Sequence, residues 1–318
     1  MNTRRFILGA AALLCGASVW AQPYPAKPIR FFVPFSAGSS IELMSRVILD
    51  DITKRTGTVF VVEPRPGALG QIGMDLVAKA APDGYTLMPS SSATHSSGPQ
   101  LSKMAMPDPV NAFTHLTSIT KFDLMVVVNA ATGVKTPEQL VAQAKTRKLS
   151  FGYGSATGQV ASSAFARAAG MADQIIGAPY KGQPLAVTDL IGGHIDFVAA
   201  DIPVVAPHIR SGKLNALGVM SDKRSALFPE VPTMSELGIK LELIGWVGFS
   251  GPPGLPEEVR AWWTRQVGLS MADPGVQEKF KAMGLESLFV SGAAFQRFVS
   301  DQFQTWGRHI REAGIPPQ

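Results

Sequence analysis

Apolar and polar positions along this chain alternate between two rhythms. Residues 29–35 form an apolar run interrupted only by Arg30, the pattern of a short buried strand. Leu43, Met44, Val47, Ile48 and Ile52 then recur at helical spacing, and Gly57 supplies a helix stop. Residues 58–62 read as a second strand, followed by a turn through Glu63-Pro64-Arg65-Pro66-Gly67-Ala68-Leu69-Gly70 and a helix marked by Ile72, Leu76, Val77 and Ala80. Asp83-Gly84 signals a turn, and residues 85–88 read as a third strand. The same rhythm continues with strands at 124–128, 150–153, 174–178, 196–200 and 214–220, and helices at 137–144 and 161–169. This alternation predicts an α/β fold with parallel sheets, whose ligands sit beyond the carboxyl ends of the strands. After Gly251-Pro252-Pro253-Gly254 the character changes, and two or three amphipathic helices cover residues 256–313. Trp262, Trp263 and Trp306 in that stretch read as packing residues. No heptads, low-complexity tract or internal repeat interrupts the pattern.

The turn Ser36-Ala37-Gly38-Ser39-Ser40 joins the first strand to the first helix. Strand, tight turn and helix start aim backbone N–H groups and the positive end of a helix dipole at one point, an arrangement that suits anions. Alone, it reads first as the plain first connection of an α/β domain. Gly38 allows close approach of a ligand, and Ser36, Ser39 and Ser40 add hydroxyl donors. Ser39 with Glu42 fits a capping box, which gives Glu42 a structural rather than a catalytic role. A second such turn, Gly152-Tyr153-Gly154-Ser155-Ala156-Thr157-Gly158, also lies between strand and helix. Its last glycine comes one residue late for a dinucleotide fingerprint, and Tyr153 stands where Gly-x-Ser-x-Gly needs glycine. Residues 90–97 are rich in hydroxyls and suit a solvated loop or a polar cleft wall. Asp201 follows an apolar strand and suits a helix cap or a ligand contact. Asp50-Asp51 reads as the solvated face of the first helix.

Composition removes whole classes of function. Arg4-Arg5, the apolar run 6–14 and Ala17-Ser18-Val19-Trp20-Ala21 have the regions of a secretory leader, with cleavage expected after Ala21. Lipid anchoring at Cys15 is disfavoured, because Leu14 stands where a small residue is wanted. Cys15 is the chain's one cysteine, so the mature fold rests on core burial without disulfides. No later run reaches the roughly 18 apolar residues of a membrane span. The formal charge of +5 is spread without a basic cluster, which argues against nucleic acid. The five histidines, His95, His115, His194, His208 and His309, lack metal-ligand spacing and read as surface or satisfied polar residues. No cofactor cradle or catalytic set stands out, and Ser155 with His194 or His208 is the one hydrolase pairing to be proposed. The pattern is that of binding without turnover, so no enzyme and no cofactor are expected.

Ordered motifs then narrow the class. Tyr24-Pro25-x-Lys27-Pro28-Ile29-Arg30, Val33-Pro34-Phe35 with its glycine turn, and Arg65-Pro66-Gly67-Ala68 come first. Ala81-Pro82-Asp83-Gly84-Tyr85-Thr86-Leu87, Pro179-Tyr180-Lys181-Gly182, and Val231-Pro232-Thr233 with Glu236 and Gly238 follow. In these motifs the chain resembles, over essentially its whole mature length, the Bug family of periplasmic solute receptors, the substrate-binding components of tripartite tricarboxylate transporters. The resemblance implies a two-lobed type II periplasmic-binding-protein fold with a ligand cleft between lobes and two chain crossovers. One lobe would comprise residues 22–122 and 248–318, the other 123–247. It also implies a periplasmic receptor that binds a small organic carboxylate and delivers it to membrane transporter subunits; an orphan receptor serving a periplasmic sensor domain is the alternative, and, since nothing in the sequence calls for an oligomer, a monomer is expected. The two turns that the resemblance implies, together with Ser92 and Asp201 from the residue pattern, give an expected ligand set of Phe35, Ser36, Ala37, Gly38, Ser39, Ser40 and Ser92 from one lobe, with Tyr153, Ser155, Thr157, Gly158 and Asp201 from the other. The family's first turn usually reads Pro-Phe-x-x-Gly-Gly-x-x-Asp, whereas this chain has Ser39 for the second glycine, Ile41 at a position commonly small or polar, and Glu42 for the aspartate. Pro64 replaces the usual asparagine, and Leu69 a glycine. Ser39 and Ile41 lead us to expect a smaller or more apolar cleft, suited to a monocarboxylate or a partly apolar or aromatic acid rather than a tricarboxylate.

Overall fold

A long strand, β4, organises the computed structural model, which describes residues 24–317. The expected leader, with Cys15, lies outside the described residues. In chain order the elements are β1 (Ile29–Val33), α1 (Ser40–Thr56), β2 (Phe60–Pro64), α2 (Gln71–Ala78), β3 (Thr86–Ser91), α3 (Gly98–Leu101) and β4 (Thr114–Asn129). Then come α4 (Pro137–Ala144), β5 (Leu149–Tyr153), α5 (Ala156–Ala168), β6 (Ile175–Pro179), α6 (Gln183–Ile191), β7 (Phe197–Asp201), α7 (Ile202–Arg210) and β8 (Leu214–Val219). The chain closes with β9 (Ile244–Gly251), α8 (Glu257–Ala272), α9 (Pro274–Ala282), β10 (Leu285–Ser287) and α10 (Gly292–Glu312).

The strands form one curled sheet in the order β2-β1-β3-β9-β4-β7-β5-β6, with β8 and β10 also paired to β4. From Thr114 to Asp123, β4 runs beside β9; from Leu124 to Asn129 it pairs with β7 and β8. One strand therefore serves both lobes of a two-lobed α/β fold. The expectation of wholly parallel sheets needs correction. The pairs β1–β2, β1–β3, β5–β6 and β5–β7 are parallel, but every pairing of β4 and β9 is antiparallel. Strands that pass from lobe to lobe have no crossover helix to turn them back, so they meet their neighbours head to tail.

Strand β9 was hidden in the sequence by its glycines. Each is needed: a Cβ at Gly245 would lie 2.2 Å from the Phe122 ring, and one at Gly248 would lie 2.3 Å from the Phe295 ring. α1 buries Ile41, Met44, Ile48, Leu49 and Ile52, while Leu43 is left 40% exposed, and Gly57 ends the helix in the left-handed region at φ 74°. Asp51 is not simply solvated. It pairs with Arg55 at 2.8 Å and accepts from Ser270 Oγ at 2.7 Å, tying α1 to α8. Trp263 and Trp306 are fully buried packing residues.

Two histidines also depart from the surface reading. His95 and His115 are buried 5.5 Å apart, ring to ring, among Phe113, Trp246 and Phe295. Each binds a hydroxyl through Nδ1, Thr94 at 2.8 Å and Ser250 at 2.9 Å, while each Nε2 is without a partner. Burial holds both rings neutral, with His115 lowered to about 4 and His95 well below its ordinary value. The unfolded chain takes up protons below pH 6.5 that the folded one refuses, so this stability is complete above pH 6.5 and is lost as pH falls toward 4. At about 1.4 kcal/mol per pH unit, His115 alone is expected to cost about 2 kcal/mol by about pH 5. Urea melts of wild type and His115→Gln across this range check it, the variant showing the shallower acid decline. The comparison is needed because buried Asp123 and Asp201, with raised carboxyls, pull the other way. Parallel pH curves would refute the expectation.

Candidate ligand-binding site

Four helices begin at one place. The N-cap residues of α1, α5, α6 and α7 are Ser39, Ser155, Gly182 and Asp201, and all four line a single cavity of about 20 Å³, room for about one water. Phe35, Ser40, Ile41, Ser92, Ala93, Phe122, Gly154, Thr157 and Gln183 complete the wall. Among the described residues, no lysine, arginine or histidine lines it. Positive potential comes instead from helix ends, each equivalent to about half a charge, and from hydroxyls.

Local chemistry explains how each end is presented. In α1 the first intrahelical bond runs from the Leu43 amide to the Ser39 carbonyl, so the amides of Ser40, Ile41 and Glu42 have no intrahelical acceptor. The expected capping box forms differently. Glu42 accepts from the Gly38 amide at 2.9 Å and pairs with Arg46 at 2.6 Å, while Ser39 makes no side-chain cap bond. Glu42 thus fixes the turn one residue further out and leaves Ser39 Oγ buried without a partner at the cavity wall. In α5, Ser155 Oγ accepts from the Gly158 amide at 3.1 Å, an ordinary cap.

Asp201 follows neither simple reading. It stands at the N-cap of α7, yet its carboxylate makes no cap bond. It accepts from Gln183 Nε2 at 3.1 Å and from the Ser40 hydroxyl of the opposite lobe. Burial drives its carboxyl above the ordinary range, offset in part by those two hydrogen bonds. Other hydroxyl contacts cross between the lobes here: Thr157 Oγ1 reaches Ser92 Oγ and Ser97 Oγ at 3.4 Å. Residues 90–97 are accordingly not a solvated loop. They are buried and include a π-helical turn, Ala93–Ser97, with Ser92 on the cavity wall.

Of the residues expected from sequence, the structure brings Phe35, Ser39, Ser40, Ser92, Ser155, Thr157 and Asp201 to the cavity. Ser36 lies instead against Gly182, where an added Cβ would sit 2.1 Å from Ser36 Oγ. Ala37 and Gly38 are exposed and line neither this cavity nor the outer one described below, and the Gly38 amide is taken by Glu42. The Gly158 amide is taken by Ser155. Tyr153 faces a second, outer cavity of about 580 Å³. Pro34, Pro66, Ala68, Leu69, Met104, Pro179 and Tyr180 give this outer space a mostly apolar wall, with Lys181 as its one cation among the described residues. Phe35, Gly154 and Ser155 line both spaces and stand between them. Sequence reasoning left out Ala93, Phe122, Gly154, Gly182 and Gln183. Gly154 and Gly182 lay within quoted motifs, but Phe122 sits in mid-strand with no local signal.

Comparison with known proteins agrees with this architecture. Residues 44–315 match the family described as "Tripartite tricarboxylate transporter family receptor". The chain is 35% identical to Protein BugT of Bordetella pertussis, over 94% of this chain and 93% of that one. The solved periplasmic binding protein BugD superposes with a TM-score of 0.87 at 28% identity, covering 93% of this chain and all of BugD. An R. palustris protein solved with adipate superposes with a TM-score of 0.89 at 25% identity, again over 93% of this chain and the whole of the other.

Proposed function

The chain belongs to the tripartite tricarboxylate transporter receptor family, and from that premise we propose that it is a periplasmic receptor for a small organic acid with an apolar body, delivered to a membrane transporter. The observation that carries this reading is the meeting of four helix N-caps at one cavity. Their amides and the hydroxyls of Ser39, Ser40, Ser92 and Thr157 suit a carboxylate, which would replace the water-sized space at the centre. The apolar outer space suits the rest of the molecule, and Lys181 at its wall suits a distal acid group. Opening and closing of the lobes would admit it. The adipate held by the R. palustris relative is an acid of this kind. Of the hydrolase pairing that the sequence offered, Ser155 is engaged as a helix cap, and neither His194 nor His208 lines the inner or the outer cavity.

A thermal-shift screen of adipate, benzoate and citrate tests the proposal. A ligand at a hundred times its dissociation constant adds about 2.7 kcal/mol of stability. Adipate or benzoate is expected to raise the melting temperature and citrate not to; tight citrate binding with no response to the other two would refute the apolar-acid reading. Ser39→Ala gives a sharper check. Its hydroxyl has no partner within the protein, so its loss is expected to leave the free protein's stability unchanged. One charge-assisted hydrogen bond to the ligand would disappear, weakening the bound acid about tenfold by calorimetry. Unchanged affinity would remove Ser39 from the ligand set.

A further inference from the structure

Among the described residues, Asp201 is the only side chain of the inner cavity wall that can carry a charge. Its two oxygens are held by neutral groups on opposite lobes. Oδ1 accepts from Gln183 Nε2 at 3.1 Å, and Gln183 is fixed in that sense because its Oε1 accepts from the Asp201 amide at 3.3 Å. Oδ2 meets the Ser40 hydroxyl, which is able either to donate or to accept. Oδ2 is therefore the oxygen that has a place for a proton.

A ligand carboxylate entering this cavity would put a second anion beside Asp201 in a space that holds about one water. Two carboxylates that share such a site do not both stay ionised; one retains a proton well above its ordinary range. Resting on the reading that the cavity receives a carboxylate, we propose that Asp201 and the ligand's head group share one hydrogen, so that the receptor binds its acid together with a proton from solvent. The proton lies between Asp201 Oδ2 and a ligand oxygen, and the pair keeps one negative charge. The helix N-termini favour that single charge. The hydroxyls of Ser39, Ser92 and Thr157 serve a protonated or an ionised oxygen equally well.

Burial already holds the free carboxyl above the usual range, and only the hydrogen bonds from Ser40 and Gln183 act against it. The charged groups on neighbouring elements have partners or positions of their own. Glu42 on α1 is paired with Arg46, and Asp123 on β4 is held above its ordinary range by burial. Asp189 on α6 binds the Tyr180 hydroxyl, Lys181 before α6 is exposed at the outer space, and His208 and Arg210 lie in the last turn of α7. None of them lines the inner cavity.

Calorimetry with adipate and with benzoate, from about pH 5.5 to 8 and in two buffers of different ionisation enthalpy, tests the proposal. Wild type is expected to take up close to one proton near neutral pH, and its Kd to rise about tenfold per pH unit at the alkaline end. Asp201→Asn is expected to bind the same acid with almost no proton uptake and a flat pH profile, whereas Ser40→Ala keeps the uptake. Binding by wild type with no proton uptake overturns the shared proton and leaves the carboxylate receptor intact. Absence of binding by either acid at every pH overturns both. Uptake that persists undiminished in Asp201→Asn also overturns the assignment. If Asp201→Asn does not fold by its melting curve, wild-type uptake and its pH slope decide alone.

Discussion

Replacing Gly154 by alanine is expected to abolish ligand binding and to cost about 3 kcal/mol of stability, the upper end for overpacking a site that cannot give. A Cβ at this position would lie 2.0 Å from the Gly182 carbonyl carbon, 2.1 Å from the Gln183 amide nitrogen and 2.5 Å from the Gly182 oxygen. All three are backbone atoms, so no rotamer change relieves the contact. Relief requires the turn after β5 to move away from the start of α6. That movement would drag Ser155 and Gln183, both on the cavity wall, out of place together. Gly158→Ala is the matched control. Its Cβ would meet the Ala199 carbonyl oxygen at 3.3 Å, a tight but adjustable contact at a helical position that favours alanine. Urea unfolding and calorimetry on both variants check the contrast. Near-native affinity in Gly154→Ala would mean that the backbone approach of the two turns is not needed for the site.

The contrast shows which parts of the site the sequence could announce. The strand-turn-helix pattern at Phe35 to Ser40 was readable because local rules fix it: an apolar run, small turn residues, then helical spacing closed by Gly57. The convergence of α1, α5, α6 and α7 was not readable, since each N-cap is local and only the fold brings the four together. Asp201 shows the gap most clearly. Its position before a helix predicts a cap, but Gln183, eighteen positions away, and Ser40, in the other lobe, compete for the carboxylate and win. Strand β9 was missed for a related reason: its glycines are dictated by Phe122, Phe295 and Leu87, residues far away in sequence. His95 and His115 likewise give no sequence sign of burial. They are scattered in the chain and meet only because β3, β4 and β9 lie side by side in the sheet.

Gly182→Ala separates closing from folding and is expected to weaken ligand binding by about tenfold to a hundredfold, equivalent to about 1.4–2.7 kcal/mol. Gly182 has φ 179°, extended backbone that alanine adopts without strain. Within its own lobe the nearest atom to an added Cβ is Pro184 Cδ at 3.7 Å, an ordinary contact. The serious clash comes from across the cleft, where Ser36 Oγ would lie at 2.1 Å. The free protein is therefore expected to melt as wild type does, because it can ease the lobes apart, while the closed, liganded form carries the cost. Ser36→Ala in the same chain removes the offending oxygen and leaves Ser36 Cβ 3.3 Å from the new methyl, a gap closed by small adjustment. The double variant is expected to bind within a few-fold of Ser36→Ala alone, a coupling of about 1–2 kcal/mol in a double-mutant cycle. Additive effects would show that the Ser36–Gly182 contact does not form in the bound state. A Gly182→Ala protein that binds as tightly as wild type would show the same.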